Sequence, residues 1–276
     1  MRRVLLALQV VALAVGLTAC GSDTLSLDPV ASAAAKTVES GSSRVEFTAT
    51  MKVAGQSVAM SGAGAFDYRD ARGQATYRMQ MPMFGDVSME MRMVGAKVFL
   101  RLPNALTGGM TGGKEWLGMD VSKSLEQAGL GGLDFTQQQD PTQTLQYLRT
   151  ASTGVREAGT ATVRGVETTR YTGRLDFRKA LDAGIDGLEL SPAERERARE
   201  GMQKMLDQLG SKGVPFQVFV DGDGLLRRMT MDMNMTVEGQ TMTMAMRMDY
   251  FDFGTAVNVQ APPARDVFDA TGLLRP

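Results

Sequence analysis

No histidine occurs anywhere in the 276 residues. That absence removes His-based catalytic triads, His-ligated zinc and imidazole proton relays together. Cysteine is nearly as scarce: Cys20 is the single example, so no disulfide can form within the chain and packing alone has to hold the fold. An excess of one charge is missing too, with 30 Lys and Arg against 31 Asp and Glu. A chain this near neutrality has no basic face large enough for nucleic acid. There is no nucleotide-binding glycine loop, and no nucleophile is paired with a base. Asp and Glu are scattered without recognisable spacing, as solvated surface would be. The expectation is a non-enzymatic protein with no cofactor and no bound metal.

What is present begins at the N-terminus. Arg2 and Arg3 precede the apolar run Val4 to Val15, whose 12 residues fall short of the ~20 that span a bilayer. Leu17-Thr18-Ala19-Cys20 follows. Charged region, apolar region, small residues and then cysteine is the layout of a bacterial lipoprotein signal peptide, and the tetrapeptide closely resembles a lipobox. It implies cleavage before Cys20, lipid on its sulfur, and a mature protein anchored at the outer face of the plasma membrane. Loss of residues 1–19 removes two arginines and no acid, taking the formal charge from −1 to −3. Residues 20–27 read as the lipidated terminus and a tether, reaching at most ~25 Å when extended. Residues 28–276 read as a single domain.

Helix signals open with Asp28 as N-cap, Pro29 at the first helical position and Gly41 as the stop. The same device recurs at Asp140-Pro141 and at Ser191-Pro192, where Glu194 completes a capping box and Gly210 closes the helix. Between these the period falls to two. Strands are expected near 44–54, 56–69, 72–83, 86–94, 96–102 and 114–119, then at 153–158, 160–164, 166–177, 214–221, 224–237 and 240–253. Asp221-Gly222-Asp223-Gly224 has the look of a calcium loop, but a hairpin turn explains it better, since Leu225 stands where a ligand belongs. The residues from Gln260 to Pro276 read as a surface strap. The fold class expected is α+β: a large antiparallel sheet with helices over one face.

Methionine is abundant, at 21 residues. Met79, Met81 and Met83 alternate with polar residues or proline, as do Met89, Met91 and Met93. The ladders Met229, Met231, Met233, Met235 and Met242, Met244, Met246, Met248 do the same. At period two each set faces one side of its strand, so two adjacent hairpins would pave one face with thioethers. Met202, Met205 and Leu206 could face them from a helix. Three readings stay open on residue types alone: a methionine-filled core, an adaptable lipid cavity, and Cu(I) binding by soft thioethers.

Val166-Glu167-Thr168-Thr169-Arg170-Tyr171 resembles the family pattern G-V-x-T-T-x-Y, and Phe216 to Met229 resembles its V-D-x-x-G-L-x-R-R hairpin, with Phe219 in place of the usual tryptophan. Phe253-Gly254-Thr255-Ala256-Val257-Asn258-Val259 with Ala261-Pro262-Pro263 is similar to its closing segment. With the lipobox, these motifs resemble the actinobacterial LppX/LprAFG lipoprotein family, related in fold to the LolA and LolB carriers. The resemblance implies a strongly curved half-barrel, with helices on the concave face around a hydrophobic cavity. It also implies an acylated lipid or glycolipid ligand; with no nucleotide-binding loop in the chain, directional export would need a gradient or a partner such as a membrane transporter. An envelope sensor of RseB type is the alternative from the same fold, and Met-based Cu(I) binding the alternative from the ladders.

Overall fold

The computed structural model describes residues 29–271, apart from 54–55, 82–84, 104–108, 110, 124–151, 177, 180–181, 183–184, 186–190, 194, 198, 201–212 and 238–239. Cys20, the tether, Met83, the helix expected at 141–150, and Met202, Met205 and Leu206 lie outside these residues. Within 191–200 the described residues after Ser191 are helical, and Arg195 N donates to Ser191 O at 2.9 Å.

Helix α1 (Pro29–Glu39) forms where the proline signal placed it. It ends at Gly41, whose φ of +89° is a left-handed conformation that suits glycine. Its buried positions, among them Val30, Ala31 and Ala33, supply one apolar side.

The chain then runs through a first meander: β1 (Ser42–Val53), β2 (Gln56–Asp67), β3 (Arg72–Met81), β4 (Gly85–Val94), β5 (Lys97–Arg101) and β6 (Trp116–Asp120). The second meander is β7 (Ser152–Val163), β8 (Val166–Leu175), β9 (Val214–Asp221), β10 (Leu226–Val237) and β11 (Gln240–Phe251), and a short β12 (Val267–Asp269) follows. All belong to one 12-stranded sheet in the order β12-β6-β5-β4-β3-β2-β1-β11-β10-β9-β8-β7. Every pairing is antiparallel except that of β12 with β6. The described structure is therefore mostly β, with α1 as its one long helix.

Three details differ from the sequence-based expectation. The segments at 153–158 and 160–164 are one strand, β7: Gly154 and Gly159, at φ +62° and +91°, accompany two register shifts rather than a break. Bulges of this kind twist an edge strand and blunt it as a template for further pairing. β12 was not expected, because three residues carry no readable period. The two methionine hairpins are not adjacent, since β1 and β2 lie between them.

The core joins α1 to the second meander. Val30 and Ala33 pack with Phe216, Val218, Val220 and Leu226, and Tyr171, Met229, Met231 and Tyr250 pack around them. Burial of each large apolar side chain contributes about 1.5–3 kcal/mol. The β9–β10 turn is tied to the helix by Leu226 N, which donates to Thr37 Oγ1 at 2.9 Å. Within the turn the Asp221 carboxylate accepts from Asp223 N, Leu225 N and Arg227 Nε at 3.0, 2.8 and 2.5 Å. Asp221-Gly222-Asp223-Gly224 is thus a hairpin turn whose own backbone occupies the carboxylate.

The opposite face of the sheet is polar. On it Asp249, 1% exposed, accepts from Arg228 Nε and Nη2 at 2.6 and 2.7 Å and from Arg247 Nε and Nη2 at 3.0 and 2.6 Å. Residues 255–263 cross this face as a strap, held by Arg72 Nη1 donating to Val259 O at 2.9 Å. Val259 and Pro262 of the strap are buried, as are Phe99 and Trp116 of the sheet; Arg92 stacks on the Trp116 ring at 4.6 Å.

Burial alone would raise the Asp249 carboxyl, but its four arginine hydrogen bonds outweigh that and bring it down from 3.8 to about 2. A carboxylate depressed in the folded state stabilises above its unfolded pKa, and that stability is lost as pH falls through the folded one. Urea unfolding followed from pH 5 to pH 2 should lose on the order of 2 kcal/mol from this group. Asp249→Asn should lack that acid-dependent component and be less stable at pH 7, with two arginines left without their counter-ion. Thr37→Val should cost about 1–3 kcal/mol in the same assay, by stripping the buried Leu226 N–H of its acceptor, and Thr37→Ser should keep most of it.

Candidate functional site

In an antiparallel pair, directly opposed residues share a face, so the register decides where the methionines meet. One row across the sheet reads Phe216, Met231, Met246, Ala49, Met60, Met79, Val87. The next row away from the β9–β10 turn reads Met233, Met244, Met51, Val58. Towards that turn lies Val218, Met229, Met248, Phe47, Gly62, Tyr77, Met89. Beyond it, Met91 and Met93 stand in the rows of Val45 and of Phe66. The backbones of Met81 and Met235 have the same parity as their ladders.

The four expected ladders therefore share one face, although β1 and β2 separate them. The intervening strands contribute Met51, Met60, Phe47 and Val58, which the sequence reading did not single out. Their signal was available, since Val45, Phe47, Ala49 and Met51 alternate as cleanly as the ladders do.

Side chains on this face are graded in size. At the centre Gly62 leaves room for Tyr77: a Cβ at Gly62 would stand 2.6 Å from the Tyr77 ring. Tyr77 in turn meets Phe47 edge-on at 6.0 Å. Helix α1 covers the turn-proximal part of the face over β9, β10 and β1. Tyr250 lies beneath it, and its hydroxyl donates to Met248 Sδ at 3.7 Å. Burial raises the phenols of Tyr77 and Tyr250, most strongly for Tyr250, the mark of a weakly polar environment.

Burial distinguishes the methionines from the core, against whose margin Met229 and Met231 pack. Among the described residues, the fully buried hydrophobic side chains include Val, Ala, Phe, Trp, Ile and Leu and no methionine. Every methionine whose side chain is described is half-buried: Met51, Met60, Met79, Met89, Met91, Met93, Met119, Met229, Met231, Met233, Met242, Met244, Met246 and Met248. Stiff side chains fill the interior, and flexible thioethers form a partly accessible apolar floor.

The polar side carries two cavities. One of about 380 Å³ lies between β5, β6, the strap and β12, lined by Lys97, Phe99, Asp120, Lys123, Pro262 and Asp269 among others. The other, of about 390 Å³, lies over β7 to β10, beside Arg156, Thr172, Arg174, Gln217 and Asp232. Among the described residues no group of three or more His, Cys, Asp or Glu side chains could hold a metal ion, and no helix is long and apolar enough to cross a membrane.

No family model matches the chain. An uncharacterized 31.2 kDa protein from the rplA–rplJ intergenic region of Streptomyces griseus is 27% identical over 196 residues, covering 69% of this chain and 59% of that protein. The chain thus spans about three fifths of the curated relative it matches. Among solved structures, lipoprotein LppX of Mycobacterium tuberculosis aligns over 85% of this chain and 97% of its own, with TM-score 0.47 and 14% identity. LprF of Mycobacterium bovis aligns over 86% and 96%, with TM-score 0.40 and 13% identity. The chain is similar in structure to these actinobacterial lipoproteins, and to a putative outer membrane lipoprotein-sorting protein domain from Vibrio parahaemolyticus (84% and 94% covered, TM-score 0.28, 9% identity), across most of its length.

Proposed function

We propose that this chain is a lipid-binding lipoprotein of the cell envelope. Lipid on Cys20 holds it at the outer face of the plasma membrane, and residues 28–276 act as one domain. The Met-paved face takes up the acyl chains of a lipid or glycolipid and carries them within the envelope. The observation that carries this reading is the division between the stiff, fully buried core and the half-buried methionines. A methionine-filled core would bury its thioethers, whereas a floor for variable acyl chains needs adaptable side chains left within reach.

Several features support the reading. Each CH₂ that moves from water onto such a face gains about 0.8 kcal/mol, comparable with its gain in a bilayer. Exchange with the membrane is then close to isoenergetic, and directional transfer requires a partner such as a membrane transporter. Gly62, Gly64 and Gly73 on the inner side of β2 and β3, with the irregular register of β7 and β10, suit a sheet that curls around the ligand. The N-terminal lipobox and the motifs between Val166 and Pro263 point the same way.

A soft metal is the second reading, favoured by one register detail. Met233, Met244 and Met51 stand side by side on three neighbouring strands, a thioether set of the kind Cu(I) accepts.

Native mass spectrometry with organic extraction, on the chain purified from an actinobacterial host, tests both. A co-purifying diacyl or triacyl lipid is expected. Met233→Asp and Met244→Arg should lower lipid retention by ~100-fold or more, since a charge would have to be desolvated against the acyl chain, with the circular dichroism spectrum unchanged. Asp232→Arg, on the opposite face, should retain lipid as the parent does. An empty chain that also refused added lipid would sink the carrier reading, and stoichiometric copper lost on Met→Leu exchange would replace it.

A further inference from the structure

We propose that the Met-paved face is an oxidation-sensitive release switch, in which two-electron oxidation of its thioethers expels the bound lipid. The inference rests on the lipid-binding reading and adds a chemical reason for the choice of side chain. Leucine, isoleucine or valine would be as apolar against acyl chains, though less adaptable, and the β-branched pair would favour strands more. None of them can be oxidised and restored.

Three observations converge. Among the described residues no methionine belongs to the fully buried core, and each one whose side chain is described is half-buried, within reach of a small oxidant. The register gathers these thioethers on one side of the sheet. Met231 stands opposite Met246, and Met233, Met244 and Met51 form an unbroken row across β10, β11 and β1. The body of the protein also holds no thiol to intercept the oxidant, because Cys20 is the only cysteine. An oxygen donor reaching this chain therefore meets soft sulfur on the binding face.

The oxidant class is a peroxide. A sulfur lone pair attacks the terminal oxygen of hydrogen peroxide, and the S–O bond forms as the O–O bond breaks. The departing hydroxide takes up the proton left on the transferred oxygen and leaves as water. Sulfur is oxidised by two electrons and the peroxide is reduced by two. The product sulfoxide is a polar, chiral acceptor. An acyl chain laid over it would leave that acceptor without a partner, the costly arrangement for a polar group. Methionine sulfoxide reductases reverse the change with two electrons and two protons from a dithiol, which becomes a disulfide as the oxygen leaves as water. The fold should survive it, because the fully buried core of α1 with β9 and β10 is Val30, Ala33, Phe216, Val218, Val220 and Leu226, and Met231 packs only at its margin.

The experiment uses the full chain and vesicles of dioleoylphosphatidylglycerol doped with a pyrene-labelled diacyl lipid. Uptake is measured before peroxide, after peroxide, and after treatment with sulfoxide reductases A and B, with sulfoxides mapped by peptide mass spectrometry and the fold followed by circular dichroism. The expected result is sulfoxide at Met231, Met233, Met244 and Met246, a fall in lipid affinity of ~10-fold per buried sulfoxide, or ~1.4 kcal/mol each, and recovery on reduction. In a variant carrying Met231→Leu, Met233→Leu, Met244→Leu and Met246→Leu, which keeps side-chain volume nearly constant, uptake after peroxide should stay close to that same variant's uptake before it, whatever its starting affinity. Uptake unchanged in chains that carry these sulfoxides would overturn the switch and leave lipid binding standing. Equal loss in the leucine variant would overturn it too, as would failure of those four sites to oxidise while the chain is folded. No uptake by untreated chain would instead remove the lipid-binding reading, and the switch with it.

Discussion

The antiparallel pairing of β1 with β11 is the joint on which this structure depends. It sets Arg44 opposite Phe251 and Val53 opposite Met242, and so fuses the β1–β6 meander to the β7–β11 meander. Side chains alternate with period two along each strand, so a slip of one residue here would turn one meander over relative to the other. The rows running from Met231 and Met246 through Ala49 and Met60 to Met79 would then break between β11 and β1. Short turns set the register of most neighbouring pairs inside each meander, whereas the long β1–β11 pairing aligns one meander with the other.

The apolar face reinforces the joint through α1, and the polar face steadies the neighbouring β10–β11 pair. On the polar side Asp249 of β11 lies directly opposite Glu46 of β1, and its carboxylate gathers Arg228 from β10 and Arg247 from its own strand. A buried carboxylate that needs both guanidiniums holds β10 and β11 in one register, because displacement would leave it unpaired in a weakly polar setting. On the apolar side α1 lies over β9, β10 and β1, and Thr37 fastens it to the β9–β10 turn. Farther along the polar side, Arg92 and Arg101 lie over the Trp116 ring of β6, and Phe99 of β5 borders one cavity with Pro262 of the strap.

The division of labour between side chains follows from this frame. Valine and phenylalanine of β9, with few rotamers, fill the contact with α1 and set one arrangement there. Methionines, with three rotatable bonds, occupy the floor beyond. Rigid packing where the helix docks and compliance where it does not is the combination expected of a surface that accommodates more than one apolar shape. The same thioethers are the soft, oxidisable atoms of the chain, so compliance and chemical sensitivity share one set of positions.

Much of this was legible in the chain itself. Alternation in β3, β4, β10 and β11 placed their methionines on one face of each strand, because the period of two is a local property of extended backbone. Pro29, Gly41 and the turn at Asp221 to Gly224 marked their own positions through backbone preferences that need no partner. Other features were not readable. Gly154 and Gly159 looked like a break because a bulge shows only against the strand it faces, and β12 is too short to have a period. The ion pair of Asp249 with Arg228 and the hydrogen bond from Arg72 to the Val259 carbonyl each join separate segments of the chain. Local sequence determined which way each side chain points along its strand. Tertiary structure alone decided which strands stand side by side, because strand pairing is a contest among non-local partners and no short stretch records its outcome.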